Sequence, residues 1–202
     1  MKTTVLILSF LISFCLVSNA QENGQSKQKG KIGVTFSTFG NIDVLSFAKG
    51  GPGYSGNQFF TIGINYMYSL KNWLDIESGI EYSDYSITIH PNLPPDNNNT
   101  PYTEKFSLIN IPVILRVNFL KYFFVNGGLL LDIDAGKSSS INSQNGIGLN
   151  FGLGLKYDSK IGLSIFANPY IKTHSIISFS SEQNHDRLIE SGIRFGLMYK
   201  LK

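Results

Sequence analysis

Between residues 147 and 157 the chain alternates without a break. Ile147, Leu149, Phe151, Leu153, Leu155 and Tyr157 occupy one parity; Gly148, Asn150, Gly152, Gly154 and Lys156 occupy the other. A period of two sends the two sets to opposite faces of a β-strand. Residues 192–201 repeat the pattern, with Ile193, Phe195, Leu197, Tyr199 and Leu201 against Gly192, Arg194, Gly196, Met198 and Lys200. After Trp73 it returns as Leu74, Ile76, Ile80 and Tyr82 against Asp75, Glu77, Gly79 and Glu81. Carried along the chain, the alternation predicts eight strands, at 31–39, 58–68, 73–89, 105–119, 122–135, 146–157, 161–177 and 190–202.

The connections predict the architecture. They alternate long (40–57, 90–104, 136–145, 178–189) and short (69–72, 120–121, 158–160). Tight turns on one side and longer loops on the other characterise an all-β, eight-stranded antiparallel up-and-down transmembrane β-barrel, with both termini on the turn side. Tyr66, Tyr68, Trp73, Phe119, Tyr122, Phe123, Tyr157 and Tyr199 cluster beside the short turns. Amphipathic rings favour a membrane–water boundary, so these predict a turn-side girdle. Phe39, Phe59, Tyr85 and Phe106 are the candidates for a loop-side one. Pro112 and Pro169 fall inside strands, where a missing N–H predicts a bulge or a local break.

The face opposite the aliphatic residues decides which side meets lipid. It carries Gly, Asn and Ser with isolated charges: Glu77, Glu81, Asp132 and Asp134 against Arg116, Lys156 and Arg194. A soluble exterior is denser in Lys and Glu. A narrow lumen filled by side chains suits small residues and paired charges, and Arg116 and Arg194 are each expected to meet at least one of the four carboxylates. Leu149, Leu153 and Leu197 are then expected to face lipid, with Gly152, Gly154 and Gly196 inside, and no continuous pore.

Composition narrows the partners. Only 15% of the 202 residues are charged and the net charge is +3. Without basic runs there is no electrostatic case for nucleic acid. Residues 1–20 read as a signal peptide: Lys2 for the charged region, Val5 to Val17 for the apolar one, Ser18-Asn19-Ala20 for the cleavage site. Cys15, the sole cysteine, has Phe14 before it and so does not fit a lipoprotein anchor. Residues 21–30 form a polar lead, leaving 31–202 as the barrel domain. The mature chain therefore holds together without disulfides.

Asn110-Ile111-Pro112-Val113-Ile114-Leu115-Arg116, the Gly-Leu-Gly pattern at 152–155 and the terminal Gly192-Ile193-Arg194-Phe195-Gly196 resemble PorT-like outer-membrane barrel proteins of Bacteroidota. The resemblance implies a Gram-negative outer-membrane location and an eight-stranded barrel, and transfers no active site. It departs at the end of the chain, Leu201-Lys202, where an aromatic residue is common.

Candidate chemistry is sparse. His90, His174 and His185 are dispersed, so no metal site, cofactor or catalytic residue is expected. His174 and Ser175 are adjacent, and strand geometry sends neighbours to opposite faces, which predicts a solvated rim histidine; His185 or Asp186 could supply a loop partner. Glu77 and Glu81 lie roughly 13 Å apart along a strand, beyond the usual glycosidase spacings. The expectation is a non-enzymatic barrel with a structural, adhesive or accessory role, whose partners are outer-membrane lipid, the barrel-assembly machinery during insertion and other envelope proteins. A lipid A-modifying barrel enzyme and a secreted lipocalin-like carrier are the alternatives.

Overall fold

A computed structural model describes residues 30–46, 50–94, 99–136, 141–180 and 185–201. The expected signal peptide and all but the last residue of the polar lead lie outside them. The described residues form eight strands: β1 Gly30–Leu45, β2 Gly53–Lys71, β3 Leu74–His90, β4 Tyr102–Phe119, β5 Phe123–Asp134, β6 Gly146–Asp158, β7 Leu163–Ser178 and β8 Arg187–Lys200. Each pairs antiparallel with its sequence neighbours, and β1 closes on β8 from Lys31↔Lys200 to Leu45↔Arg187. Closure leaves no strand edge, so every ladder has a partner on both sides.

Several strands run longer than their alternation suggests. β1 continues to Leu45 and β2 begins at Gly53, so the expected loop 40–57 contracts to 46–52. The cause is a bulge. The β1–β8 register shifts between Thr38 and Asn41, and Phe39 adopts φ 55°. A Cβ on Gly40 would stand 1.7 Å from the Ser191 carbonyl oxygen, so only glycine lets the strands approach there. The bulge changes parity: Thr35 and Ser37 point inward before it, Ile42 after it.

Aliphatic side chains cover the outside. Ile32 and Val34 on β1, Ile62 and Ile64 on β2, Ile80 on β3, Val113 and Leu115 on β4, Leu129 on β5, Ile171 on β7 and Leu197 on β8 are all exposed. On β6, Leu149 and Leu153 are 49% and 58% exposed. The inward glycines are equally clear. A Cβ on Gly154 would meet the Phe124 ring at 2.4 Å, one on Gly196 the Phe166 ring at 2.2 Å, and one on Gly152 the amides of Asn168 and Asn126 at 2.6 and 2.7 Å.

Toward the loops the polarity inverts. There the interior is apolar (Ile42, Phe59, Tyr85, Ile87, Ile89, Leu108 and Leu188) and the exterior carries Asn41, Asp43, Gln58, Asp84 and Lys105. The barrel therefore has an inside-out half toward its turns and a half toward its loops whose interior is apolar and whose exterior is mixed. This corrects the expected loop-side girdle for three of its four members: Phe59 and Tyr85 are buried in the lumen and Phe106 stacks on Tyr85 at 5.1 Å, while Phe39 is exposed. The turn-side girdle stands as read, with Tyr66, Trp73, Phe119, Tyr122, Phe123, Tyr157 and Tyr199 exposed and Tyr68 half-buried.

Neither proline produces a bulge. At Pro112 the β4–β5 register runs unbroken, while β3–β4 pairing resumes in the same register after a gap between Ser78↔Val113 and Glu81↔Asn110. Pro169 likewise keeps its pairing to β8 and interrupts only the β6 ladder. The Asn168 side-chain amide donates to the Leu153 carbonyl at 3.0 Å, replacing the donor the neighbouring proline lacks.

The face assignment makes one pair of variants decisive. Leu153→Arg should destabilise the barrel in lipid vesicles by about 2–4 kcal/mol if it sits near the midplane, because the guanidinium enters hydrocarbon. Gly154→Arg should instead fail by crowding Phe124, with partial rescue from Phe124→Ala. Urea-unfolding midpoints in vesicles distinguish the two effects.

Candidate functional site

The inward face of the turn-side half gathers charges from five strands into one layer. Glu77 and Glu81 come from β3, Arg116 from β4, Asp132 from β5, Lys172 and His174 from β7, and Glu190 and Arg194 from β8. All eight side chains are at most 2% exposed. Burial of an ion is costly unless an opposite charge and hydrogen bonds replace its water.

The contacts form a continuous chain. Arg116 donates to Glu77 at 2.6 Å, and Arg194 reaches Glu77 at 2.9 Å and Glu81 at 3.2 Å. Lys172 donates to Glu81 at 3.0 Å and lies 3.9 Å from Glu190. His174 stands between Glu190 and Asp132, at 3.6 and 3.1 Å. Neutral donors finish the shell: the Tyr85 and Tyr170 hydroxyls donate to the two oxygens of Glu190, and Asn110 donates to Asp132 at 2.7 Å. Four carboxylates thus face Arg116, Lys172 and Arg194, and a proton shared onto His174 would make the layer neutral. Stacking adds to this. The Arg116 guanidinium lies 4.1 Å from the Phe124 ring centroid and 4.5 Å from that of Phe166.

Apolar layers seal the network at both ends. Met67, Phe124, Phe166 and Met198 close the turn side, and the Ile42–Leu188 cluster closes the loop side. Below the lower seal a polar vestibule of about 440 Å³ opens among Lys31, Lys71, Lys156, Lys200, Asp75 and Asp158. Lys156 belongs here, 3.3 Å from Asp158, and not to the lumen carboxylates with which the sequence pattern grouped it. Asp134 is also displaced from that group. It caps the β5–β6 connection, accepting from Ser143 at 2.5 Å and from the Gln144 and Asn145 amides. The expected pairing of Arg116 and Arg194 with Glu77 and Glu81 is what the lumen contains.

His174 departs from the expected solvated rim position, being fully buried. Ser175 is fully buried as well, so the two neighbours do not take opposite faces. The reason is local: Ser175 has φ 47°, and the β6–β7 register shifts opposite it. His185 does reach Ser175, with Nε2 3.1 Å from Oγ. That hydroxyl is enclosed, however: a Cβ on Gly146 would lie 2.6 Å from it. Asp186 takes another part, accepting from the Tyr54 hydroxyl at 2.9 Å. His90, exposed at the loop-side end of β3, contacts Ser55 at 3.1 Å.

Sequence reasoning missed Lys172, Glu190, Tyr85 and Tyr170. Parity was the available signal for two of them: Glu190 shares it with Arg194, and Tyr85 with Glu81 and Ser83. For Lys172 and Tyr170, the proline at 169 obscured the phase.

No family model matches the chain, and no curated protein does. Among solved structures it is similar to the translocator domain of autotransporter NalP from Neisseria meningitidis, at 11% identity over 99% of this chain and 97% of that one, with a TM-score of 0.34. It is also similar to Ail, the attachment invasion locus protein of Yersinia pestis, at 13% identity over 86% of this chain and 99% of that one, with a TM-score of 0.37. At such scores neither likeness bears on what this chain does. Its own coordinates define its class: a closed eight-stranded antiparallel barrel, aliphatic outside and ionic within.

Glu77 is the point to test, since both arginines lean on it. Glu77→Ala should cost about 3–5 kcal/mol, leaving a buried guanidinium short of a counter-charge. Adding Arg116→Met should recover part of that loss, read as a positive coupling in a double-mutant cycle of unfolding midpoints.

Proposed function

We propose that this chain is a non-enzymatic outer-membrane barrel with a structural, adhesive or accessory role, its turns in the periplasm and its longer loops displayed outside. The observation that carries this reading is the inside-out half: a continuous aliphatic exterior around a neutralised, packed interior. On β6 the apolar parity runs from Ile147 to Tyr157, ten residue steps. At about 3.3 Å per residue and a tilt near 40°, that spans roughly 25 Å, the height of the apolar band of outer-membrane barrels. Water would not tolerate so large an apolar belt on a monomer. A carrier of the lipocalin kind needs the reverse, a dry pocket inside and a polar coat.

The absence of a catalytic role is supported by how the reactive groups are used. The lumen carboxylates are engaged with cations, and the Ser175 hydroxyl is enclosed under Gly146. Kinship with the PorT-like barrels rests on the Asn110–Arg116 and Gly192–Gly196 segments, which supply Arg116 and Arg194 to the network.

Full-length protein is expected in the outer-membrane fraction, with heat-modifiable migration in detergent. Recovery from a soluble fraction without detergent would overturn the reading. Planar-bilayer recordings should show no large conductance, because both ends of the charged layer are sealed.

A further inference from the structure

The turn-side exterior carries a trough that the barrel itself does not need. Ala167 on β7 faces outward between its register partners Leu155 on β6 and Phe195 on β8. One methyl between two large side chains leaves a depression. It widens into a groove of about 750 Å³, walled by Val34, Phe36, Leu155, Ile165, Phe195 and Leu197. Phe36 and Phe195 stack at 5.2 Å and stiffen one wall. The volume falls within the roughly 300–1,000 Å³ of small-molecule sites.

The lower end of the groove is different in character. Tyr122 and Tyr157 line it. The Tyr122 carbonyl accepts from the Lys156 amide at 2.7 Å, which holds the β4–β5 turn against the end of β6. Lys121 and Lys160, both exposed, belong to this turn and to the next one, and the Lys121 ammonium lies 5.2 Å from the Tyr122 ring centroid. They are part of a wider asymmetry. Among the described residues the turn-side end holds Lys31, Lys71, Lys121, Lys156, Lys160 and Lys200 against Asp75 and Asp158, a balance of 6 − 2 = +4. The loop-side end holds Asp43, Asp84, Glu104, Asp134 and Asp186 against Lys105 and Arg187, or 2 − 5 = −3.

An apolar trough with two tyrosines at its lower end and exposed lysines on the adjoining turns matches a lipid with an anionic headgroup. We propose that this face binds an anionic phospholipid of the turn-side leaflet. One acyl chain lies over Ala167, the glycerol level meets Tyr122 and Tyr157, and the phosphate meets Lys121 and Lys160. The site rests on the membrane reading above. It adds to that reading a preferred lipid and a defined sector of the barrel, β6 to β1.

Native mass spectrometry of the refolded full chain tests it, with phosphatidylglycerol and phosphatidylcholine of identical acyl chains and with lipid A as a third ligand. Wild type should retain phosphatidylglycerol about tenfold better than phosphatidylcholine. Lys121→Gln with Lys160→Gln should remove that preference, weakening phosphatidylglycerol retention about tenfold and leaving phosphatidylcholine unchanged. Ala167→Phe should fill the trough and lower retention of both phospholipids; Ala167→Leu serves if the larger ring prevents folding, which heat-modifiable migration reports. Equal retention of the two phospholipids by wild type, a preference that survives the lysine changes, or retention unaffected at position 167 would each overturn the site. Preferential retention of lipid A would overturn the leaflet assignment. A chain that inserts into vesicles but shows no headgroup preference refutes this site alone, whereas one that stays soluble without detergent refutes the membrane reading itself.

Discussion

Glu77 and Glu81 each bridge two cations, and between them they tie β3 to its neighbour β4 and to the far wall of β7 and β8; the rest of the interior is arranged around that requirement. Arg116 comes from the adjacent strand, Arg194 and Lys172 from the far side. A buried carboxylate is tolerable only when its charge and its lone pairs are both answered. Closure of the ring is what brings β3 opposite β7 and β8, so the ion pairs and the barrel depend on each other. Glycines on the inward face leave the room that long side chains need, as the close approach of Phe166 to Gly196 and of Phe124 to Gly154 illustrates.

The same constraint explains the two seals. Ionic contacts are strongest where water is excluded, and the methionine–phenylalanine layer below and the apolar cluster above exclude it. Tyr85 and Tyr170 join the upper seal to the ionic layer, since each presents a ring to the apolar cluster and a hydroxyl to Glu190. Above that level the wall changes character. Its inside is apolar and its outside mixed, with Asn41, Asp43, Gln58, Asp84 and Lys105 set among exposed Phe39, Phe60 and Ile177. Among the described residues charge is distributed as a dipole, positive at the turns and negative at the loops, which gives the barrel a direction as well as a depth.

Much of this was legible from the chain alone. Strand number, antiparallel connection and the outward parity followed from a period of two, because a strand has no other way to separate Leu153 from Gly154. Arg116 and Arg194 were identifiable as inward charges for the same reason. The turn-side girdle was legible too, since its rings sit beside short turns whose positions the sequence marks.

What the sequence could not determine lies wherever parity breaks or where distant strands converge. Phe39 and Ser175 take positive φ: the first moves the later side chains of β1 to the other face, and the second turns Ser175 inward beside His174 while Ile177 stays outside with Ile171. No local pattern announces that shift, because the steric demand comes from a neighbouring strand: the Ser191 carbonyl at Gly40, and the β6 register at Ser175. His174 reads as a rim residue because the phase beyond Pro169 is hidden, yet it shares the inward parity of Tyr170 and Lys172 and sits between Asp132 and Glu190. The inversion of polarity was hidden by a symmetry of the code itself, as an alternating strand looks the same whichever face is dry. Tertiary closure decided it, by placing Ile42, Tyr85, Leu108 and Leu188 in contact across the lumen while Asp43 and Asp84 were left to the solvent.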